Sequence, residues 1–372
     1  MVKLNLTLWT ALYLLSSFNI ATGQAKNEKI TRENVWSRNR IDSTMKANNI
    51  PAVSFGIIRN GKLVYCGGVG VISRGSKTEV NENTIYQIGS DTKKFTGIIV
   101  NNLIKEGKLN TDSPITRYLP ELTSEARQRL SRITLNHLLI HKSGIPNRAP
   151  SDPRVDGDPM VIEYQAQNLV KDLNEIKPEF EPGTKFGYSN LGYAVAGYIC
   201  EQVTGMYYRD LLKKYITGKY NLKNTFIYPD QEHKAVMATP YRKDNREIET
   251  QPFRMGKLAP AGGICSSIMD LSVLMMKQIE EYNNFLKRGK SCSPLILTSK
   301  DSVKNAHYGF GLAQNADRKG VHYGHGGDLD GFASGYVFMP EKKLGLILLT
   351  SSGGRWFGKL EKDLLNRLAS DD

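Results

Sequence analysis

A serine hydroxyl attacks an acyl carbon only when a neighbouring group takes its proton, and a lysine shielded from water can be tuned to do so. Ser90 and Lys93, in Ile88-Gly89-Ser90-Asp91-Thr92-Lys93-Lys94-Phe95, have the spacing that sets two side chains on one face of a helix. Tyr188-Ser189-Asn190 offers a phenol that can relay protons and an amide that can orient a lysine or a substrate carbonyl. Two apart in an extended loop, Tyr188 and Asn190 would point into one cleft. In Gly324-His325-Gly326-Gly327-Asp328, glycines flank a histidine, which lets backbone and ligand approach closely.

None of these spacings is specific alone. Ser43 and Lys46 repeat the first where an ordinary helix surface is expected, and Tyr282-Asn283-Asn284 repeats the second in a charged, exposed-looking segment. Four residues separate His137 from His141, as in a zinc-binding helix. Leu138, however, stands where a metalloprotease needs Glu, and Gly144-Ile145-Pro146 ends the helix at once. Both histidines are read as structural. Neither a metal nor any other cofactor is expected.

The elements that would hold these residues can be outlined. A sparse amphipathic helix is predicted from Glu33 to about Asn48, then a hairpin, Ala52–Ile58 and Lys62–Val69, about the tight-turn dipeptide Asn60-Gly61. Thr84 to Gly89 leads into the Ser90 helix, whose apolar positions Phe95, Ile98, Ile99, Leu103 and Ile104 run until Gly107. Helical patterning covers Thr123–Leu139, Leu191–Val203 and Tyr208–Tyr215, with a Pro- and Asp-rich loop over 147–160 and a turn at Glu181-Pro182-Gly183. Residues 229–263 look irregular. A helix capped near Ser266-Ser267 runs through Met276. Strands return at Val321–Tyr323, Ala333–Phe338 and Leu344–Leu349, with turns at Gly326-Gly327 and Pro340-Glu341, before a last helix from about Lys359 to Leu368. Strands at both ends and helices between them predict an α/β fold. It has one mixed antiparallel sheet built from both termini (about 34–89 and 300–372) and flanked by helices, and an inserted helical lobe (about 90–299), with the site in the cleft between.

The bulk properties narrow the setting. Lys3, the apolar run Leu8–Leu15 and the small residues Ala21-Thr22-Gly23 have the order of a secretory leader over 1–23, leaving a domain over 24–372. The run is too short to span a bilayer, and no later segment is apolar enough, so an exported protein of the periplasm or medium is expected. The formal charge of +13 is scattered among acids, and its densest cluster, Leu286-Lys287-Arg288-Gly289-Lys290, lacks interleaved aromatics. Nucleic acid is therefore not an expected partner. Cys66, Cys200, Cys265 and Cys292 show no metal-ligand spacing, and their pairing is not legible from sequence.

Taken together, Ser90-x-x-Lys93, Tyr188-x-Asn190 and His325-x-Gly327 occur in an order and at separations that resemble the penicillin-recognising serine hydrolases. The resembling branch is the class C β-lactamase-like one, with its D-peptidase and esterase relatives. The likeness extends to His137–Pro146, Phe180–Gly187 and Pro260–Ser267, and so over nearly the whole chain beyond the leader. It implies a β-lactamase-like (transpeptidase-like) fold with Ser90 as nucleophile and Lys93 as its partner in proton transfer. Tyr188 would pass protons between Ser90, the leaving group and water; whether Lys93 or Tyr188 is the base stays open. Asn190 would position Lys93 and substrate, and His325 would stand where relatives carry Lys or His. The N–H groups of Ser90 and Asp328 would form the oxyanion hole, with Gly326 and Gly327 beside the substrate.

Two departures bear on substrate. Gly326 replaces the hydroxyl residue that carboxylate-binding members often have, and Asp328 and Asp330 put carboxylates beside the oxyanion donor. Like-charge repulsion then favours neutral or cationic small-molecule or peptide acyl substrates, including cell-wall-derived ones: esters or amino-terminal D-amino acid amides, with weak β-lactam turnover. The alternatives are a true β-lactamase or D-Ala-D-Ala carboxypeptidase and, in another class, a non-catalytic penicillin- or peptidoglycan-binding protein.

Overall fold

The computed structural model describes residues 31–152, 163–287, 299–300 and 307–370. The expected leader, most of the Pro- and Asp-rich loop, Arg288–Lys290 and Cys292 lie outside them. Among the described residues, no helix is long and apolar enough to cross a membrane, and Cys66, Cys200 and Cys265 are free thiols.

The sheet is built from both ends of the chain. Its strands are β1 (Ala52–Arg59), β2 (Lys62–Gly70), β5 (Ser299–Lys300), β6 (His307–Gly309), β7 (Leu312–Asp317), β8 (Gly320–Leu329), β9 (Phe332–Met339) and β10 (Leu344–Thr350), in the order β2-β1-β10-β9-β8-β7-β6-β5. The sheet is antiparallel at every ladder, as expected. A separate ribbon pairs β3 (Ile85–Gln87) with β4 (Cys265–Ser267).

Strand β1 is buried along nearly its whole length because both its faces are covered. Val53, Phe55 and Ile57 alternate toward a core shared with Ile41 and Met45 of the helix over 31–48 and with Leu360, Leu364 and Leu368 of the helix Arg355–Ala369. The other face meets the helix Ile268–Lys287. There Gly56 permits the close approach: a Cβ at that position would lie 2.6 Å from Ser272 Oγ.

Three sequence expectations need correction. Thr123–Leu139 is two short helices, Ser124–Leu130 and Leu135–Leu139, because Thr134 caps the second: its hydroxyl accepts from the His137 N–H while His137 Nδ1 accepts from the Thr134 N–H. Gly326-Gly327 is not a turn. Strand β8 runs straight through it and the chain reverses at Asp330-Gly331, where Gly331 has φ +117°. Finally, Tyr208–Tyr215 stops being α-helical at Leu212 and continues as a π-helical turn, Lys213–Thr217. Of the repeated spacings, Lys46 falls on the exposed face of the helix over 31–48, paired with Asp42 at 2.7 Å, and Tyr282 and Asn284 lie within Ile268–Lys287, with Tyr282 packed against the core.

Candidate active site

Ser90 sits in the tight 3-10 turn Gly89–Thr92, one step before the helix Lys93–Lys105. Gly89 takes φ +54° as the chain leaves β3, which a side chain would resist. Strand β8 passes directly beside this turn. A Cβ at Gly327 would collide with the Ile88 carbonyl oxygen, and one at Gly89 would lie 3.1 Å from the backbone nitrogen of Asp328. Ser334 of β9 fastens the contact by donating to the Ile88 carbonyl at 2.8 Å. The backbone nitrogen of Asp328 is thereby placed next to the Ser90 turn.

Lys93 is buried, and its Nζ lies 3.0 Å from Ser90 Oγ, 2.7 Å from Asn190 Oδ1 and 2.7 Å from the Ala261 carbonyl. This neighbourhood suits both protonation states. An ammonium donates to all three oxygens; an amine donates to the two that can only accept and turns its lone pair to the Ser90 hydroxyl. The segment carrying Ala261 is pinned to the nucleophile helix, since Thr96 Oγ1 donates to the Pro260 carbonyl at 2.7 Å and Ile264 N–H donates to Thr92 Oγ1 at 3.1 Å.

Tyr188 and Asn190 arrive together, as their spacing predicts. The Tyr188 hydroxyl donates to Ser90 Oγ at 2.9 Å, and burial pushes its pKa up to about 12, with the hydrogen bond to Ser90 opposing. Ser189 caps the helix Asn190–Thr204 by accepting from the Gly192 N–H at 2.8 Å. Asn190 is oriented by a residue the sequence reading missed: Asn147 Oδ1 accepts from both Asn190 Nδ2 (2.9 Å) and the Asn190 N–H (3.0 Å). With its amide nitrogen taken, Asn190 can present only its oxygen to Lys93. The one available signal was that Asn147 follows Gly144-Ile145-Pro146 directly.

His141 is structural, as expected, but its work is at the site. It has a left-handed backbone (φ +57°), its carbonyl accepts from Gly187 N–H at 2.8 Å, and its Nδ1 accepts from Ser189 N–H at 3.1 Å. Its ring lies 4.3 Å from that of Tyr188. Burial, and then the Lys93 charge, hold it well below the usual histidine pKa, in the neutral form an Nδ1 acceptor needs.

His325 projects from β8 beneath Tyr188, their ring centroids 6.3 Å apart. Its pKa is pushed down to about 3, first by burial and then by the Lys93 charge. The neutral ring fits its partners: Nδ1–H donates to the Gly326 carbonyl at 2.6 Å, and Nε2 accepts from Tyr308 at 2.9 Å. Tyr308, another residue the sequence did not flag, also packs on His141 at 4.5 Å and closes an aromatic wall around the site. Gly326 is exposed and offers no side-chain donor. The Asp328 carboxylate, read from sequence as a bare repulsive charge, is in fact paired with Lys243 Nζ at 2.9 Å.

Of the five side chains expected from sequence, Ser90, Lys93, Tyr188 and Asn190 are thus joined by hydrogen bonds and His325 packs beside Tyr188. A protein from Pseudomonas fluorescens described as a beta-lactamase is 30% identical over 238 residues, 63% of this chain and 62% of that protein. Protein flp of Staphylococcus aureus strain MW2 is 25% identical over 89% of this chain and 65% of its own length. The chain therefore spans somewhat under two thirds of these curated relatives. Among solved structures, the octameric penicillin-binding protein homologue from Pyrococcus abyssi matches with a TM-score of 0.75 and 26% identity, over 90% of this chain and 77% of that one. The beta-lactamase/D-alanine carboxypeptidase from Pseudomonas syringae matches with a TM-score of 0.76 and 20% identity, over 90% and 99%, and supports the fold. With the Beta-lactamase family model matched over residues 38–370, the chain belongs to the beta-lactamase family.

Proposed function

We propose that this chain is a serine hydrolase that cleaves esters, or amides of amino-terminal D-amino acids, through a Ser90 acyl-enzyme, and turns over β-lactams weakly. Ser90 Oγ attacks the acyl carbon as its proton passes to Lys93. Tyr188, which keeps its phenolic proton at neutral pH, hands it to the departing oxygen or nitrogen and is recharged from Lys93. Water then enters along the same relay in reverse. The N–H groups of Ser90 and Asp328 stabilise the oxyanion, a contribution of about 2.7–4 kcal/mol per donor in comparable sites.

The observation that carries the substrate class is that both His325 ring nitrogens are engaged, with the Gly326 carbonyl and the Tyr308 hydroxyl, and that Gly326 itself brings no side chain. Strand β8 offers neither a cation nor a hydroxyl to a substrate carboxylate, so an anionic acyl donor gains little there. A panel of nitrophenyl esters, D-aminoacyl amides, nitrocefin and D-Ala-D-Ala peptides tests this. Neutral esters or D-aminoacyl amides should give the highest kcat/KM. The relatives described as a beta-lactamase and as a beta-lactamase/D-alanine carboxypeptidase favour a second reading, which nitrocefin or D-Ala-D-Ala peptides outrunning the esters would establish instead. From the leader-like residues 1–23 we further propose export to periplasm or medium, where cell-wall fragments are within reach. Fractionation of the expressing cells tests that part; retention of the uncleaved chain in the cytoplasm contradicts it.

A further inference from the structure

Strand β8 leaves the site on two carboxylates, and a single residue engages both. Lys243 Nζ pairs with Asp328 Oδ2 at 2.9 Å, and its backbone N–H donates to Asp330 Oδ1 at 3.1 Å. Lys243 lies on a small hairpin closed by the Tyr241–Glu249 bridge and by Arg242 N–H donating to the Ile248 carbonyl at 3.0 Å. Tyr241 N–H, donating to the Ser351 carbonyl at 2.8 Å, fastens the hairpin to the end of β10. Glycine at 353 makes room for the pair. A Cβ there would lie 2.7 Å from Asp328 Oδ1 and 3.3 Å from Lys243 Cε. Nearby, Arg242 pairs with Asp244 at 2.8 Å and Arg246 donates to the Gly353 carbonyl at 3.3 Å. The pair is reachable from solvent, since the Asp328 side chain is 66% exposed and that of Lys243 33%. It also belongs to the residue whose N–H sits beside the nucleophile's turn.

We propose that the Asp328–Lys243 pair sets the charge preference of the acyl site: Asp328 ties up an ammonium anchored beside the oxyanion strand, and without that carboxylate Lys243 becomes a receptor for a carboxylate on the substrate. This deepens the proposed substrate class and rests on it in one respect, that β8 itself supplies no cation. Lysine suits the role because its ammonium is a point charge on a flexible four-carbon stem that can be retargeted without moving the backbone. Its backbone tie to Asp330 keeps the residue in place when the side-chain partner is removed.

The test compares two isosteric esters, one ending in a carboxylate and one in the carboxamide, as the ratio of their kcat/KM values. A unit charge about 8 Å from the substrate group, at an effective dielectric between that of a protein surface and of water, changes such a ratio about 3- to 30-fold. Asp328→Asn should raise the anionic-to-neutral ratio by that factor, Lys243→Met should lower it, and the double variant should return near the wild-type ratio. High salt should flatten all three. The ratio is taken within each variant, so any change in the oxyanion hole that acts on both esters alike cancels. The proposal is overturned if both single variants leave the ratio unchanged or move it the same way. A wild type that prefers the anionic ester overturns the substrate class alone, because the shift between variants is read from whatever ratio the wild type has.

Discussion

Lys93 and Lys94 are consecutive, both are buried, and they serve opposite sides of the same turn. Lys93 reaches forward to three neutral oxygens, on Ser90, Asn190 and Ala261. Lys94 reaches back to the carboxylate of Asp91 at 2.6 Å, with its ammonium 3.7 Å above the Tyr336 ring. Burial pulls the Lys94 pKa down and the Asp91 pKa up, and each charge opposes the shift of the other. The difference shows what makes a buried lysine useful for proton transfer. Neutral acceptors leave the proton transferable, whereas a fully desolvated ion pair commits it to one partner. The rear pair ties the Ser90 turn to β9; the front lysine is the one to which the proposed reaction assigns proton transfer.

Substitutions at the two sides should separate these roles. On the front, Ser90→Ala and Lys93→Met should each cost about ten-thousand-fold in kcat or more, with little change in unfolding free energy for Ser90→Ala. Tyr188→Phe removes a proton relay and should cost about a hundred- to ten-thousand-fold, measured as kcat/KM on a nitrophenyl ester. On the rear, Lys94→Met strands a buried carboxylate and should lower the unfolding free energy by about 3–5 kcal/mol in denaturant titration. Adding Asp91→Leu should recover most of that loss, and the folded double variant should still acylate. If Lys94→Met were as inactive as Lys93→Met while remaining as stable as wild type, the division of labour would be wrong.

The smaller effects sharpen the front side further. Asn147→Ala frees the Asn190 amide to rotate and should cost up to about a hundredfold in kcat/KM, with the stability loss of a few hydrogen bonds. The histidines give a pH signature. His141 and His325 are held below the unfolded value of about 6.5, so the unfolded chain binds protons that the folded chain refuses. Their contribution is complete above about pH 6.5 and is lost as pH falls toward the folded values. Stability should therefore decline from pH 6.5 downward, more shallowly in His325→Gln. The activity profile should show no limb from His325 between pH 5 and 8.

Much of the site was legible because its parts are local. Ser90 and Lys93 share one turn, Tyr188 and Asn190 share one extended step, and His325 lies among glycines that allow strand and nucleophile to touch. What sequence could not show were contacts made across the fold. Asn147 orients Asn190 from 43 positions away, Tyr308 meets His325 from β6, two strands across the sheet, and Lys243 neutralises Asp328 from a hairpin that looks irregular in sequence. The misplaced turn at Gly326-Gly327 has a physical cause as well. Gly327 serves close packing against Ile88 rather than chain reversal, and the two uses look alike in a sequence. The same limit explains the reading of Asp328 as a bare charge.

The most direct test of a Ser90 acyl-enzyme is intact-mass analysis after treatment with a fluorophosphonate probe. The wild type and the Asp91→Leu/Lys94→Met variant should each gain the mass of one adduct, mapped to the peptide containing Ser90, and Ser90→Ala should gain none. An unlabelled wild type, or an adduct that persists in Ser90→Ala, would contradict the account.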